Sequence, residues 1–135
     1  MPTLKLEIIT PAAKLFSDDV EMVTLTGIDG EMGIYPAHMP LMTQLVAGEI
    51  TARKDSQNIH MAVGDGFVQI TSGRVAILTD MAIKAEDIDE AAAEQARQRA
   101  EARLAEKLGD EETATVQASL LHALTQLKIK QRRRL

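Results

Sequence analysis

The chain contains no cysteine and no tryptophan, and only three aromatic residues, Phe16, Tyr35 and Phe67, among its 135. Without thiols there is no disulfide, no thiolate nucleophile and no cysteine-ligated zinc, which suits a reducing compartment. With so few aromatic rings, any core must be filled by Val, Ile, Leu, Met and Ala. Long apolar runs are absent too: none approaches the roughly 20 residues of a membrane helix. The opening "MPTLKLEIIT" lacks the charged start and apolar stretch of a signal peptide. These absences predict a soluble, cytosolic protein without direct membrane insertion, still able to sit on a membrane complex.

What is present suits one compact domain with an appendage, since domains typically run about 100–150 residues. The hydrophobic fraction of 45% is enough to build a core. The net charge of −5 is unevenly spread. Residues 1–84 carry six Lys/Arg against ten Asp/Glu, and residues 85–135 carry nine against ten. In the second part acids crowd the start (Glu86, Asp87, Asp89, Glu90, Glu94) and bases the end (Lys128, Lys130, Arg132, Arg133, Arg134), a block pattern that can mark an interaction end.

The two parts differ in period. "TLKLEI" puts Leu4, Leu6 and Ile8 on one side and Lys5 and Glu7 on the other; "IHMAV" repeats the alternation, and "VAIL" is a short apolar strand. Turn signals recur at Pro11, Ser17-Asp18-Asp19, Gly27 to Gly30, "DSQN" at 55–58, "GDG" at 64–66 and Ser72-Gly73. Short strands at this spacing predict an antiparallel β-sandwich or barrel over residues 1–84. No helix long enough for a crossover precedes residue 85, which argues against a parallel sheet.

From Glu86 to Leu108 no proline or glycine interrupts and alanine is abundant, so a helix is predicted there. Gly109 is placed as its C′ residue, Asp110 as the cap of a second helix running to about Arg132. Residues 85–135 thus form a helical hairpin with arms of about 30 Å at about 1.5 Å per residue. Ile88, Ala92, Ala96, Ala100, Leu104 and Leu108 make one stripe; Val116, Leu120, Leu124 and Leu127 make the other. An antiparallel pairing would set Leu104 against Val116, Ala100 against Leu120 and Ala96 against Leu124. Alanine buries little area at about 25 cal/mol per Å², so the hairpin is expected to be marginal on its own and able to open or change partners. The plainer reading, favoured on the pattern alone, is a stable hairpin packed on the sandwich.

The stretch "GIDGEMGIYPAHMPL" (27–41) is the most unusual. Its G-x-x-G-x-x-G spacing matches neither the dinucleotide fingerprint nor the Walker loop, and the prolines that follow cannot continue a helix to receive phosphate. His38 could take Asp29 or Glu31 as an orienting carboxylate for acid/base work, but no nucleophile motif accompanies it. His38, His60 and His122 are scattered, so a zinc site is not expected. The basic tail "KIKQRRRL" suits a helix C-terminus or an acidic protein surface better than nucleic acid, because the whole is acidic and no aromatic residue lies near. Residue chemistry alone thus ends at a two-part, non-enzymatic interaction protein; a free-standing β-sandwich binding module with a dimerising hairpin and a small hydrolase using His38 are the rival readings to be separated.

"TPAAKLFSDDVEMVTLTGIDGEMGIYPAHMPLMTQLVAGEI", and within it "GEMGIYPAHMPL", resembles the N-terminal signature of the epsilon subunits of F-type rotary ATP synthases. "VGDGFVQITSGRVAILTDMA" and "IDEAAAEQARQRAEARL" resemble the same family in order and spacing, so the resemblance covers nearly the whole chain. It implies a non-catalytic part that couples ion flow to ATP synthesis, at the cytoplasmic face of the bacterial inner membrane. The sandwich would grip the gamma subunit and rest on the c-ring, with Glu31 facing the c-ring and His38 and Met39 near gamma. It further implies that the hairpin is a switch. Folded, it packs through Ala92, Ala96, Ala100, Leu104, Leu120 and Leu124. Extended, it reaches the alpha/beta hexamer and opposes ATP hydrolysis, with Lys128, Lys130, Arg132, Arg133 and Arg134 docking on acidic beta-subunit surface. Some relatives bind ATP through I/L-D-x-x-R-A; here Asp89 and Ala93 match but Ala92 replaces the arginine, although Arg99 is present. The expectation is that ATP binds weakly or not at all, and that no cofactor is needed.

Overall fold

The computed structural model describes residues 2–133. Ten strands come first: β1 (Leu4–Ile9), β2 (Lys14–Val20), β3 (Met22–Gly27), β4 (Gly30–Ile34), β5 (Leu41–Leu45), β6 (Gly48–Lys54), β7 (Gln57–Val63), β8 (Gly66–Thr71), β9 (Arg74–Thr79) and β10 (Ala82–Lys84). Two helices follow, α1 (Glu90–Leu104) and α2 (Asp110–Arg133). The expected β-sandwich with a C-terminal helical hairpin is what the chain forms.

The strands run in the order β10-β7-β6-β3-β5-β8-β9-β1-β2, with β4 paired only to β3. The sheet curls back on itself: Lys54 at the end of β6 meets Asp18 of β2, and the Glu21 N–H donates to the Arg53 carbonyl at 2.7 Å. Leu6, Ile8, Val23, Leu25, Ile34, Ile50, Met61, Val68 and Ile77 fill the interior; among the described residues the fully buried part of that cluster ends at Ile77, with Ala82 packed against it. The alternation read at Leu4, Leu6 and Ile8 therefore marks the core face.

Three local readings change. Ser17, Asp18 and Asp19 are strand residues in β2 rather than a turn, because β1 supplies ladder partners at Glu7, Leu6 and Lys5. The "DSQN" turn shrinks to Asp55 and Ser56, both at positive φ (52° and 63°), the backbone that a two-residue hairpin demands. One pairing is parallel: β1 lies beside β9, with Leu6 opposite Val75 and Ile8 opposite Ile77. No crossover helix is needed, because the whole run of strands from β2 to β8 makes the connection.

The hairpin arms are unequal. A short 3-10 turn at Ala85–Asp87 replaces the first turn of the predicted helix. Asp89 then caps α1, its carboxylate accepting the Ala92 N–H at 3.0 Å. The helix ends at Leu104, and Gly109, whose carbonyl accepts the Thr113 N–H at 2.9 Å, starts α2 instead of closing α1. With 15 and 24 residues the arms span about 22 and 36 Å.

Candidate docking surfaces and hairpin seam

The 27–41 stretch is a β-hairpin followed by a bent loop. Gly27 pairs with Gly30 across the β3–β4 turn, which leaves Glu31 exposed on β4. Beyond β4, Ala37 takes a positive φ of 69°, the His38 N–H donates to the Tyr35 carbonyl, and His38 Nδ1 sits 2.7 Å from the carbonyl oxygen of its neighbour Met39. That bond ties the imidazole to its own backbone. Among the described residues no carboxylate pairs with His38, so the acid/base arrangement weighed for Asp29 or Glu31 is not assembled. Met39 projects outward, 79% exposed.

Next to this loop the outer face of the sheet is apolar. Register places Gln44, Phe67 and Leu78 in one row and Met42, Gln69 and Ala76 in the next, two residues along. Met42, Phe67 and Leu78 are all exposed, as are Tyr35 and Leu41 at the margin. The sequence reading found Met39 here but not Met42, Phe67 or Leu78. Only strand register unites them, and register is not visible in a single strand's alternation.

Within the hairpin, Ala93 and Ala100 are buried on α1 and Ala123 and Leu127 on α2. Ala96, Leu104 and Leu120 are partly buried, whereas Ala92 is exposed and Leu124 is 43% exposed. Alanine at 91, 92 and 93 makes the apolar phase of α1 ambiguous from sequence, and the cap at Asp89 sets Ala93 inward. Leu124 borders a groove shared with Glu94 and Arg97 of α1 and, with Leu121, also lines a cleft of about 470 Å³ between α2 and strands β3 and β6. Val116 shares a groove with Ala96, Ala100 and Arg103, and Arg103 reaches Glu112 at 3.3 Å, so the arms are antiparallel as expected. Arg97 donates to Glu94 and, at 2.8 Å, to Glu101; the bond from Arg97 holds the Glu94 carboxyl below the ordinary carboxylate range.

Asp89 and Arg99 do not converge. Ten residues separate them along one helix, about 15 Å; Asp89 is engaged as a cap, while Arg99 lines the groove with Arg103 and Ser119. Nor does the basic end point outward as a unit. Lys130 Nζ donates to the Ala85 carbonyl at 3.3 Å, and Arg132 contacts Glu49 on β6. Lys128 is exposed on the cleft. Arg133 is described only as the last backbone position of α2, and Arg134 lies outside the described residues.

A hairpin packed on the sandwich was expected, but the residues of the α2–sandwich seam were not. Ile129 inserts among Ala62, Ala85 and Ile88, turning the outward side of β7 into a small second core. Around it lie Gln126 near Met81 Sδ, Arg132 on Glu49, and His60 between Glu49 (3.5 Å) and Thr51 (3.2 Å). At the other end His122 Nε2 meets Asp80 Oδ2 at 3.0 Å. Among the described residues no cluster of His, Asp or Glu has the makings of a metal site, and no helix is long and apolar enough to cross a membrane.

Family models match the chain in two consecutive pieces: the beta-sandwich domain of the ATP synthase delta/epsilon chain over residues 3–85, and its long alpha-helix domain over 86–131. The chain belongs to the ATP synthase delta/epsilon chain family. Its similarity to curated members is extensive. The ATP synthase epsilon chain of Dehalococcoides mccartyi is 42% identical over 135 residues, covering 99% of this chain and 96% of that one. That of Lawsonia intracellularis is 43% identical over 102 residues, 76% of this chain and 77% of the relative. Among solved structures, a chain of the Euglena gracilis mitochondrial ATP synthase shares the fold at TM-score 0.73 and 20% identity, over 93% of this chain and 79% of that one. A chain from the central stalk and c-ring of the Tetrahymena thermophila enzyme does so at 0.57 and 13%, over 94% and 96%. The family resemblance read in "GEMGIYPAHMPL" is thereby confirmed.

Proposed function

We propose that this family member is a non-catalytic central-stalk subunit of a rotary ATP synthase, coupling ion translocation to ATP synthesis by docking on gamma and the c-ring. The observation that carries it is the exposed apolar face of Met39, Met42, Phe67 and Leu78 beside a stiff, hydrogen-bonded loop. Apolar side chains clustered on a well-filled sandwich suit a permanent protein contact. Glu31, exposed on the adjoining hairpin, is assigned to the c-ring side, and His38 with Met39 to gamma. The hairpin is assigned the role of a brake on hydrolysis that acts when it leaves the sandwich and reaches the alpha/beta hexamer. Ala92 in place of the motif arginine, and the separation of Asp89 from Arg99, support weak ATP binding or none. The complex is placed at the cytoplasmic face of a bacterial inner membrane, with protons or sodium ions as the driving ion.

The test is reconstitution with a catalytic complex depleted of the corresponding subunit, following binding and ATP hydrolysis together. The full chain and a version ending at Lys84 are expected to bind equally, because the sandwich has its own core. Only the full chain is expected to slow hydrolysis. Met39→Glu and Phe67→Glu are expected to weaken binding at least about tenfold, as central interface positions do. Unaltered binding by both variants would remove the assigned face. Equal hydrolysis rates with full and truncated chains would remove the brake.

A further inference from the structure

The chain has no thiol, so its most readily oxidised atoms are the sulfurs of its seven methionines. Their placement is uneven. Met61 is fully buried in the sandwich core, and Met22, Met32 and Met81 are partly buried. Met81 Sδ also accepts from the Gln126 amide at 3.7 Å. Met39 and Met42, in contrast, are 79% and 65% exposed, the most open methionines among the described residues.

The two stand together. They flank Pro40 and Leu41, where the chain passes from the bent loop into β5. Register sets Met42 opposite Gln69 and Gln69 opposite Ala76, with Phe67 opposite Leu78 in the neighbouring row. Both sulfurs therefore belong to the exposed apolar patch of Phe67, Leu78, Tyr35 and Leu41. Helix α2 rests on β6 and β7 and leaves this patch open.

We infer that Met39 and Met42 form a methionine-oxidation site whose oxidant is a peroxide, and that oxidation there closes the docking face of the unassembled chain. The consequence rests on the reading of that face as the gamma contact. In the step, a lone pair on Sδ attacks one peroxide oxygen, and the S–O bond forms as the O–O bond breaks. The departing hydroxide takes the proton from the oxygen now on sulfur and leaves as water. Sulfur loses two electrons and the peroxide gains them. A thioether is apolar and adaptable, suited to fill a partner surface; a sulfoxide is a hydrogen-bond acceptor that is costly to bury without a donor. Docking covers both sulfurs, so the free chain is the sensitive form and the assembled chain is protected. Met61, at 0% exposure, is out of the oxidant's reach, so the core stays intact. The change is reversible, because methionine sulfoxide reductases, one for each epimer, restore the thioether.

The test exposes the full chain briefly to dilute hydrogen peroxide and maps the product by peptide mass spectrometry. Binding to a catalytic complex depleted of the corresponding subunit is then measured. Met39 and Met42 are expected to oxidise at least about tenfold faster than Met61. Once both are sulfoxides, binding is expected to weaken at least about tenfold, the scale of an unpaired polar group in a buried contact. Treatment with both reductases should return it, and the urea midpoint of the chain should not move. In a Met39→Leu, Met42→Leu double variant, whatever its own starting affinity, peroxide should shift binding less than about twofold, since leucine has no sulfur to oxidise. No binding by the untreated chain overturns the docking reading, and the closing of that face with it. Where the untreated chain binds, three results overturn the oxidation site alone: binding that survives full oxidation of both sulfurs, an equal loss in the double variant, or oxidation spread evenly over Met22, Met32, Met61 and Met81.

Discussion

Glu7 sits on the side of β1 opposite Leu6 and Ile8, where alternation predicts solvent, and is nevertheless buried. Lys14 Nζ at 2.9 Å and Arg74 Nε at 3.2 Å cover its carboxylate. The bond from Lys14, helped by the charge of Arg74, holds the Glu7 carboxyl below its ordinary value of 4.5. Since the folded form favours the ionised group, the contribution to stability is present above that value and lost as pH falls through the lowered one. Glu7→Gln is therefore expected to flatten the loss of stability on the acid side, seen as a smaller change in urea midpoint between neutral and acidic buffer. Sequence showed the inward faces of Leu4, Leu6 and Ile8 because alternation is local. It could not show Glu7, whose two cations come from different strands. The same limit hid Asp80 from His122 and Glu49 from Arg132.

At the scale of elements, the strands of the sandwich and the two helices were legible, and their ends were less so. Asp89 is a strong N-cap, and using it shortens α1 and turns its phase, so Ala93 rather than Ala92 faces inward. Leu120 is partly buried as anticipated, but α2 serves two neighbours at once: Ala123 and Leu127 are buried in register with α1, Thr125 and Ile129 in register with the sandwich. A single apolar stripe drawn on a helix wheel misses the second face. Ile129→Ala is expected to weaken attachment of the hairpin by about 2–4 kcal/mol, the usual range for such a truncation in a buried site. Limited proteolysis should then cut α1 and α2 sooner, with the urea midpoint of the sandwich nearly unchanged. A sandwich destabilised by the same amount would show that the two cores are one.

For the whole molecule, the contrast is between a dense, cysteine-free β core and an alanine-rich hairpin fastened by few apolar contacts. The lack of cysteine and the alanine-rich hairpin were readable from the sequence; how the hairpin is fastened was not. The contrast predicts a graded response to hydrogen exchange: amides of α1 should exchange first by local opening, those of β6, β7 and β9 last, at the level of global unfolding. Uniform protection across both parts would mean that the hairpin unfolds only with the sandwich.

The parallel pairing of β1 with β9 has a consequence for how the protein is made. Lys5 lies beside Arg74, so β1, made before every other strand of the sandwich, must wait for almost the last of them before its ladder is complete. Until then β1 has only β2 to pair with, and the apolar side of Leu4, Leu6 and Ile8 lacks its cover. Pairings this remote are entropically slow to close and place a β domain toward the millisecond-to-second end of folding rates, whereas a helical hairpin of local contacts forms far faster. Vectorial synthesis thus yields the quick element after the slow one. The newborn hairpin has nothing to dock on until β7 and the Asp80 turn have found their places.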